Sequence, residues 1–241
     1  FSKVRNYGIE QATGKWILIL DTDEYIPEKY LENIRQAVEN VQQTGIFLFT
    51  QKSATESGSV ISFKTQRLFR NLPVFRYKYV VHELVTTEQM NEDSFTIDLL
   101  DVEIEHSGYH TNEILKRKEK RNLNILKSQL LKHDLPDEEF FHYGVFFLRS
   151  SLNISRPSSI EQNIGNKLTI LKEKFYQENA EFNQDFFIYY TVMPGFLFKY
   201  SKYYDIDALF QEAIHIYKYS PFVFYKYAEV YYKDGKYEKS I

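Results

Sequence analysis

The chain has 241 residues, 43% of them hydrophobic and 17% aromatic, with 30 basic and 33 acidic side chains and a net charge of −3. This composition supports packed cores and gives no broad electrostatic reason to bind nucleic acid or an acidic membrane face. No apolar run approaches the roughly 18–20 residues of a membrane-spanning helix and no secretion leader opens the chain; with no cysteine there is neither a disulfide framework nor a thiolate zinc site, which suits a cytoplasmic setting.

Residues 2–12 suit a helix, with Ser2 as its cap, Val4, Ile9 and Ala12 facing inward and Thr13-Gly14 ending it. The run "WILIL" (16–20) reads as a buried strand that leads directly into Asp21, Asp23 and Glu24. The stretch 27–43 opens on Pro27 and sets Tyr30, Leu31, Ile34, Ala37, Val38 and Val41 at helical spacing. Strand-like runs follow at 46–50, 60–69, 75–85 and 95–106. Beyond residue 111 the period changes to that of helices, at about 111–133, 137–151, 158–178, 183–201 and 205–218. The last segment, 224–241, resembles a tetratricopeptide repeat in its placement of Phe224, Tyr227, Ala228, Tyr231, Gly235, Tyr237 and Ser240. The expected fold is therefore α/β over residues 1–110, followed by an all-α, tetratricopeptide-like domain over 111–241.

Two aspartates in Asp-x-Asp order at the end of an apolar strand share a face if the segment stays extended, and hard carboxylate oxygens suit Mg²⁺ or Mn²⁺. Capping of the helix near Pro27 explains the same acids equally well.

The surroundings separate the two readings. "FSKVRNYGIEQATGKWILILDTDEYI" (1–26) resembles the central motif of family 2 glycosyltransferases of the GT-A fold, a Rossmann-like mixed-sheet architecture. "RLFRN" (67–71), "VHE" (81–83) and "HSGY" (106–109) follow in the order seen in a branch of that family whose transferase half precedes helical repeats. The resemblance implies an inverting, metal-dependent transfer of sugar from a nucleotide-sugar donor to a glycan, lipid-linked or peptide acceptor, in the cytoplasm or at the inner face of the membrane. It implies that Asp23 binds Mg²⁺ or Mn²⁺ on the donor diphosphate, and that Asp21 contributes to the metal or the donor. Arg5, Asn6, Arg67 and Arg70 are the candidate donor-binding residues, the other reading of the arginines being surface ion pairs with nearby acids, among them those of the acidic turn. In a regular strand Arg67 shares a face with Phe69, so only one of the two arginines can face the site. His82 is either a third metal ligand or a half-buried strand residue. Glu83 is a general base if it reaches the acceptor, and an edge-strand charge otherwise. The resemblance places His106, Gly108 and Tyr109 near the active-site rim, although a Ser-Gly turn accounts for them without chemistry; the basic run 116–121 reads as a solvated face.

The family's first strand–helix–strand–helix portion, which binds the nucleotide, has no counterpart here, so the expectation is a fragment or a degenerate relative. A non-catalytic helical-repeat module, with aromatic positions such as Phe186, Phe187, Tyr189 and Phe196 forming a homodimer face or a peptide groove, is the alternative. A haloacid-dehalogenase-like phosphatase also runs a strand into Asp-x-Asp, but the chain has no Gly-Asp pair for its later metal motif.

Overall fold

The computed structural model describes residues 1–54, 58–86, 95–107, 111–152, 158–175, 184–200 and 203–239. Residues 87–94 lie outside them, as do Gly108, Tyr109 and Ser240. Backbone contacts divide the chain into two compact units, Phe1–Lys120 and Arg121–Ile241.

The first unit opens with helix α1 (Ser2–Gln11). Phe1, not Ser2, occupies the cap position, and its phenyl ring has no acceptor with which to cap; Ser2 is already the first helical residue and is buried. Strand β1 is only Trp16–Leu18. It stops before the acids, which form a tight turn in which the Glu24 N–H donates to the Asp21 carbonyl at 3.0 Å. A two-residue strand β2 (Glu24–Tyr25), a 3₁₀ turn (Glu28–Tyr30) and helix α2 (Leu31–Asn40) follow. The long strands β3 (Thr44–Ala54), β4 (Val60–Arg70) and β7 (Thr96–His106) build the sheet. The sequence predicts one strand over 75–85; the structure has two short ones, β5 (Tyr77–Lys78) and β6 (Leu84–Val85), paired to each other. Between them Tyr79 and His82 take φ of 67° and 56°. Such left-handed backbone is unusual outside glycine and cannot continue a strand.

The five-stranded sheet has the order β1-β4-β3-β7-β2. The β3–β7 pair is parallel and the other three are antiparallel, giving the mixed sheet expected. Each face carries a helix. Ile9 of α1 packs with Ile17, Ile46, Phe69, Phe75 and Tyr77, while Ile34, Ala37 and Val38 of α2 cover Phe47, Phe49, Leu68, Val102 and Ile104. This alternation of Phe47 and Phe49 against Ile46 is what a two-residue strand period dictates when both faces are covered.

The second unit is helical, as expected: it contains α4 (Asp137–Ser151), α5 (Ser159–Phe175), α6 (Gln184–Lys199), α7 (Tyr203–Ile216), α8 (Pro221–Lys233) and a 3₁₀ turn (Tyr237–Lys239). The preceding helix α3 (Asn112–Leu130) contains the junction between the units. Phe186, Tyr189, Tyr190 and Phe196 on α6 are buried inside this unit. Among the described residues no helix is long and apolar enough to cross a membrane.

Candidate functional site

Asp21 is the centre of a charged cluster assembled from three parts of the first unit. Arg5 on α1 reaches its Oδ1 at 2.6 Å, and Arg67 on β4 lies 3.3 Å from its Oδ2. Arg67 also pairs with Glu24, whose side chain is fully buried. Glu24 in turn accepts the Asp21 N–H at 2.9 Å. Arg67 is placed by an irregularity in β4: Phe47 pairs with Leu68 and Leu48 with Gln66, so Arg67 has no partner on β3. A bulge of this kind re-aims one side chain without ending the strand.

The ring of Tyr77 lies 5.2 Å below the Arg5 guanidinium. Burial alone would lower the proton affinity of Arg5, but Asp21, Tyr77 and Glu83 together raise it above its ordinary value. Burial pushes the Tyr77 hydroxyl up, opposed by the nearby Arg5 and Arg67. Two buried polar atoms of this neighbourhood, Arg67 Nε and Glu83 Oε1, make no hydrogen bond. Buried polar groups are nearly always satisfied, so orphans that cluster at one place call for a ligand or another functional explanation.

Asp23 points elsewhere. Its carboxylate meets His106 Nε2 at 3.3 Å and Lys118 Nζ at 3.8 Å, and its carbonyl accepts from Ser107 through both N–H (2.9 Å) and Oγ (3.1 Å). This follows from the pairing of β2 with the end of β7, which sets Glu24 opposite His106. The extended geometry that would have put Asp21 and Asp23 on one face is thus replaced by a turn with the two carboxylates in different company. Among the described residues no three His, Asp or Glu side chains come together as a metal set, so the expected trio of Asp21, Asp23 and His82 is not assembled. Both Asp21 oxygens face guanidinium groups. The Asp23 side chain is 36% exposed.

Two other candidates serve as braces. Asn6 Nδ2 donates to the Tyr77 carbonyl at 2.9 Å, and the Tyr77 N–H donates to Asn6 Oδ1 at 2.8 Å. The Arg70 guanidinium donates to the carbonyls of Val41, Gln42 and Thr44 and stacks over Trp16, away from the acidic turn. Of the two arginines in "RLFRN", Arg67 is the one beside the acids. His82 and Glu83 sit in the bend between β5 and β6, so strand alternation does not set their directions.

Sequence reasoning offered an ion pair of Arg67 with the acidic turn but not its burial against Glu24, and it assigned Lys118 no role. The usable signal was the end of β7: a histidine closing the longest late strand before a Ser-Gly turn. No signal identified Lys118.

Residues 1–97 match the family model described as Glycosyl transferase family 2. The chain is 35% identical over 123 residues to a TPR repeat-containing protein of Synechococcus elongatus, across 48% of this chain and 30% of that protein. It is 23% identical over 197 residues to the SPbeta prophage-derived glycosyltransferase SunS of Bacillus subtilis, across 74% of this chain and 45% of SunS. The chain thus spans less than half the length of these curated relatives. Over residues 1–97 the chain is thus similar to glycosyl transferase family 2, and a helical region follows that segment.

Proposed function

We propose that the first unit forms the catalytic edge of a nucleotide-sugar-dependent glycosyltransferase, which transfers a sugar to a glycan, lipid-linked or peptide acceptor with inversion. The observation that carries this reading is the pair of buried, unpartnered atoms, Arg67 Nε and Glu83 Oε1, beside the Arg5–Asp21–Arg67 cluster and within the family-matched segment.

In this reading Arg5 and Arg67 fix Asp21 at the donor and offer guanidinium N–H groups to phosphate, an interaction lysine cannot copy in bidentate form. Asp23 would hold Mg²⁺ or Mn²⁺, which when bound neutralises charge on the departing nucleoside diphosphate. Glu83 Oε1, an acceptor without a donor, is the base that takes the proton from the attacking acceptor group. The relation to SunS supports the reaction class and carries no information on donor or acceptor identity.

Calorimetry with UDP, GDP and ADP, with and without Mn²⁺, tests the reading on the longest natural polypeptide that contains this sequence. Mn²⁺-dependent binding of one nucleotide, lost in Asp23→Asn, is expected. No binding of any of the three under either condition would overturn it.

A further inference from the structure

Arg5 meets a carboxylate on one side and an aromatic ring on another. Its terminal nitrogen is 2.6 Å from Asp21 Oδ1, and its guanidinium carbon lies over the Tyr77 ring, 5.2 Å from the centroid. The Arg5 side chain is 19% exposed, so the cation has lost much of its water.

The ring is held independently of Arg5. Tyr77 is 7% exposed, and its backbone exchanges two hydrogen bonds with Asn6 of α1. Its ring meets the buried ring of Phe69 on β4 nearly edge-on, with 6.1 Å between centroids and 76° between planes. Its hydroxyl oxygen lies 3.5 Å from the carbonyl of Gln66, also on β4. Backbone, ring edge and hydroxyl are thus each placed by another group, and one ring face is left for the guanidinium.

The consequence follows from guanidinium geometry. The N–H donors of arginine lie in one plane, and an aromatic face attracts the cation from outside that plane without accepting any of them. A second carboxylate in place of the ring would balance the charge and occupy donors. Among the described residues Asp21 is the hydrogen-bond partner of the Arg5 side chain. The rest of the fork stays available to an oxyanion, and a planar fork held in one orientation suits bidentate contact with phosphate oxygens. An aliphatic residue at position 77 would fill similar space but give the desolvated cation no electrostatic compensation on that face.

We infer that Tyr77 is a positioning residue acting through Arg5: its ring face holds the guanidinium oriented beside Asp21, with in-plane N–H groups left open to the phosphate oxygens of the donor. The part in donor binding rests on the transferase reading given under Proposed function; the stacking of Arg5 on Tyr77 does not.

Arginine-selective nitrogen NMR reads the stacking with no ligand present, on the longest natural polypeptide that contains this sequence. The Arg5 Nε–H signal is assigned by its loss in Arg5→Lys. Wild type and Tyr77→Phe are expected to show that signal displaced by the ring current, and Tyr77→Leu to return it to the ordinary arginine position. An unmoved signal in Tyr77→Leu overturns the proposal. If Tyr77→Leu does not fold, as judged by circular dichroism, Tyr77→Met, which also fills space without a ring, carries the same reading.

Calorimetry on the same variants supplies the second readout, using Mn²⁺ with UDP, GDP and ADP as probes. Tyr77→Leu should weaken nucleotide binding by about 3- to 30-fold. Tyr77→Phe should recover most of that loss, and the loss should vanish in an Arg5→Ala background. Phenylalanines carrying increasing numbers of ring fluorines at position 77 withdraw charge from the face at nearly constant shape, and affinity should fall stepwise along that series. Equal losses in both backgrounds, or an affinity indifferent to fluorination, would mean that Tyr77 does not act through its ring face on Arg5 and would overturn the proposal. A ring-current displacement that depends on Tyr77 in a protein that binds none of the three nucleotides would support the stacking and count against the transferase reading alone.

Discussion

Asn6 and Tyr77 exchange two hydrogen bonds, side-chain amide to backbone, as two paired strands would. Asn6 thereby ties α1 to β5 and sets the Tyr77 ring under Arg5. Asn6→Ala leaves a backbone donor and acceptor of Tyr77 without these partners, a loss of about 1–3 kcal/mol. Urea denaturation is expected to show that loss. Nucleotide affinity should change less than in Arg5→Ala, because Asn6 is spent on the backbone.

Arg67 is predicted to be both structural and functional, and the two roles can be separated. Removing its guanidinium strands Glu24, whose side chain is fully buried. Arg67→Met should therefore destabilise the protein by about 3–5 kcal/mol. The double variant Arg67→Met/Glu24→Leu removes both buried charges and should recover much of that stability, since apolar replacement of a buried pair is often near neutral. Nucleotide binding should stay lost in the double variant. Denaturation curves and calorimetry on the same samples check both halves.

The division into an α/β part and a helical part was legible because the apolar period changes from two to about three and a half near residue 111. The acidic turn was legible from "DTDEY" and its neighbours. The missing parts share a cause: each depends on a local break in regular geometry or on a long-range register. Left-handed Tyr79 and His82 divide an apparently continuous strand, although neither residue type announces such a bend. The unpaired position of Arg67 requires knowing how β4 aligns with β3. Ser53 and His106 meet only through a parallel pairing between strands 53 residues apart in the chain.

Glu83→Gln preserves size and removes the basic oxygen. If Glu83 takes the acceptor's proton, turnover should fall by about 10²- to 10⁴-fold. Donor affinity should remain near that of wild type. A fall in donor affinity without a fall in turnover at saturation would assign Glu83 to the Arg5 cluster as a structural charge instead.

In the helical unit, Asp207 on α7 accepts from the Tyr231 hydroxyl on α8 and from Lys239, each at 2.7 Å. Lys239 first, then Tyr231, hold its carboxyl below the usual aspartate range, against a smaller opposing effect of burial. A depressed folded-state value means that the stabilisation is fully present above the unfolded value near 4 and disappears as pH falls through the lower folded value. Asp207→Asn should accordingly reduce melting temperature at neutral pH and flatten its decline in acid. The side chain is 49% exposed, so the effect should stay within about 1 kcal/mol. Melting curves between about pH 3 and 7 provide the check.

Gly165 on α5 lies in close contact with α6 in the same unit. A Cβ there would lie 2.2–2.6 Å from three carbons of the Phe196 ring on α6, closer than van der Waals contact permits. Phe196 is 1% exposed and has little free space into which to turn. Although alanine normally favours a helix over glycine, the clash outweighs that gain, and Gly165→Ala should destabilise by about 1–3 kcal/mol. Phe196→Leu in the Gly165→Ala background should restore part of the loss, whereas the same change in the wild-type background should create a cavity and destabilise. That opposite sign, read from thermal melts of the four proteins, distinguishes a steric contact between α5 and α6 from a general sensitivity of the helices to substitution.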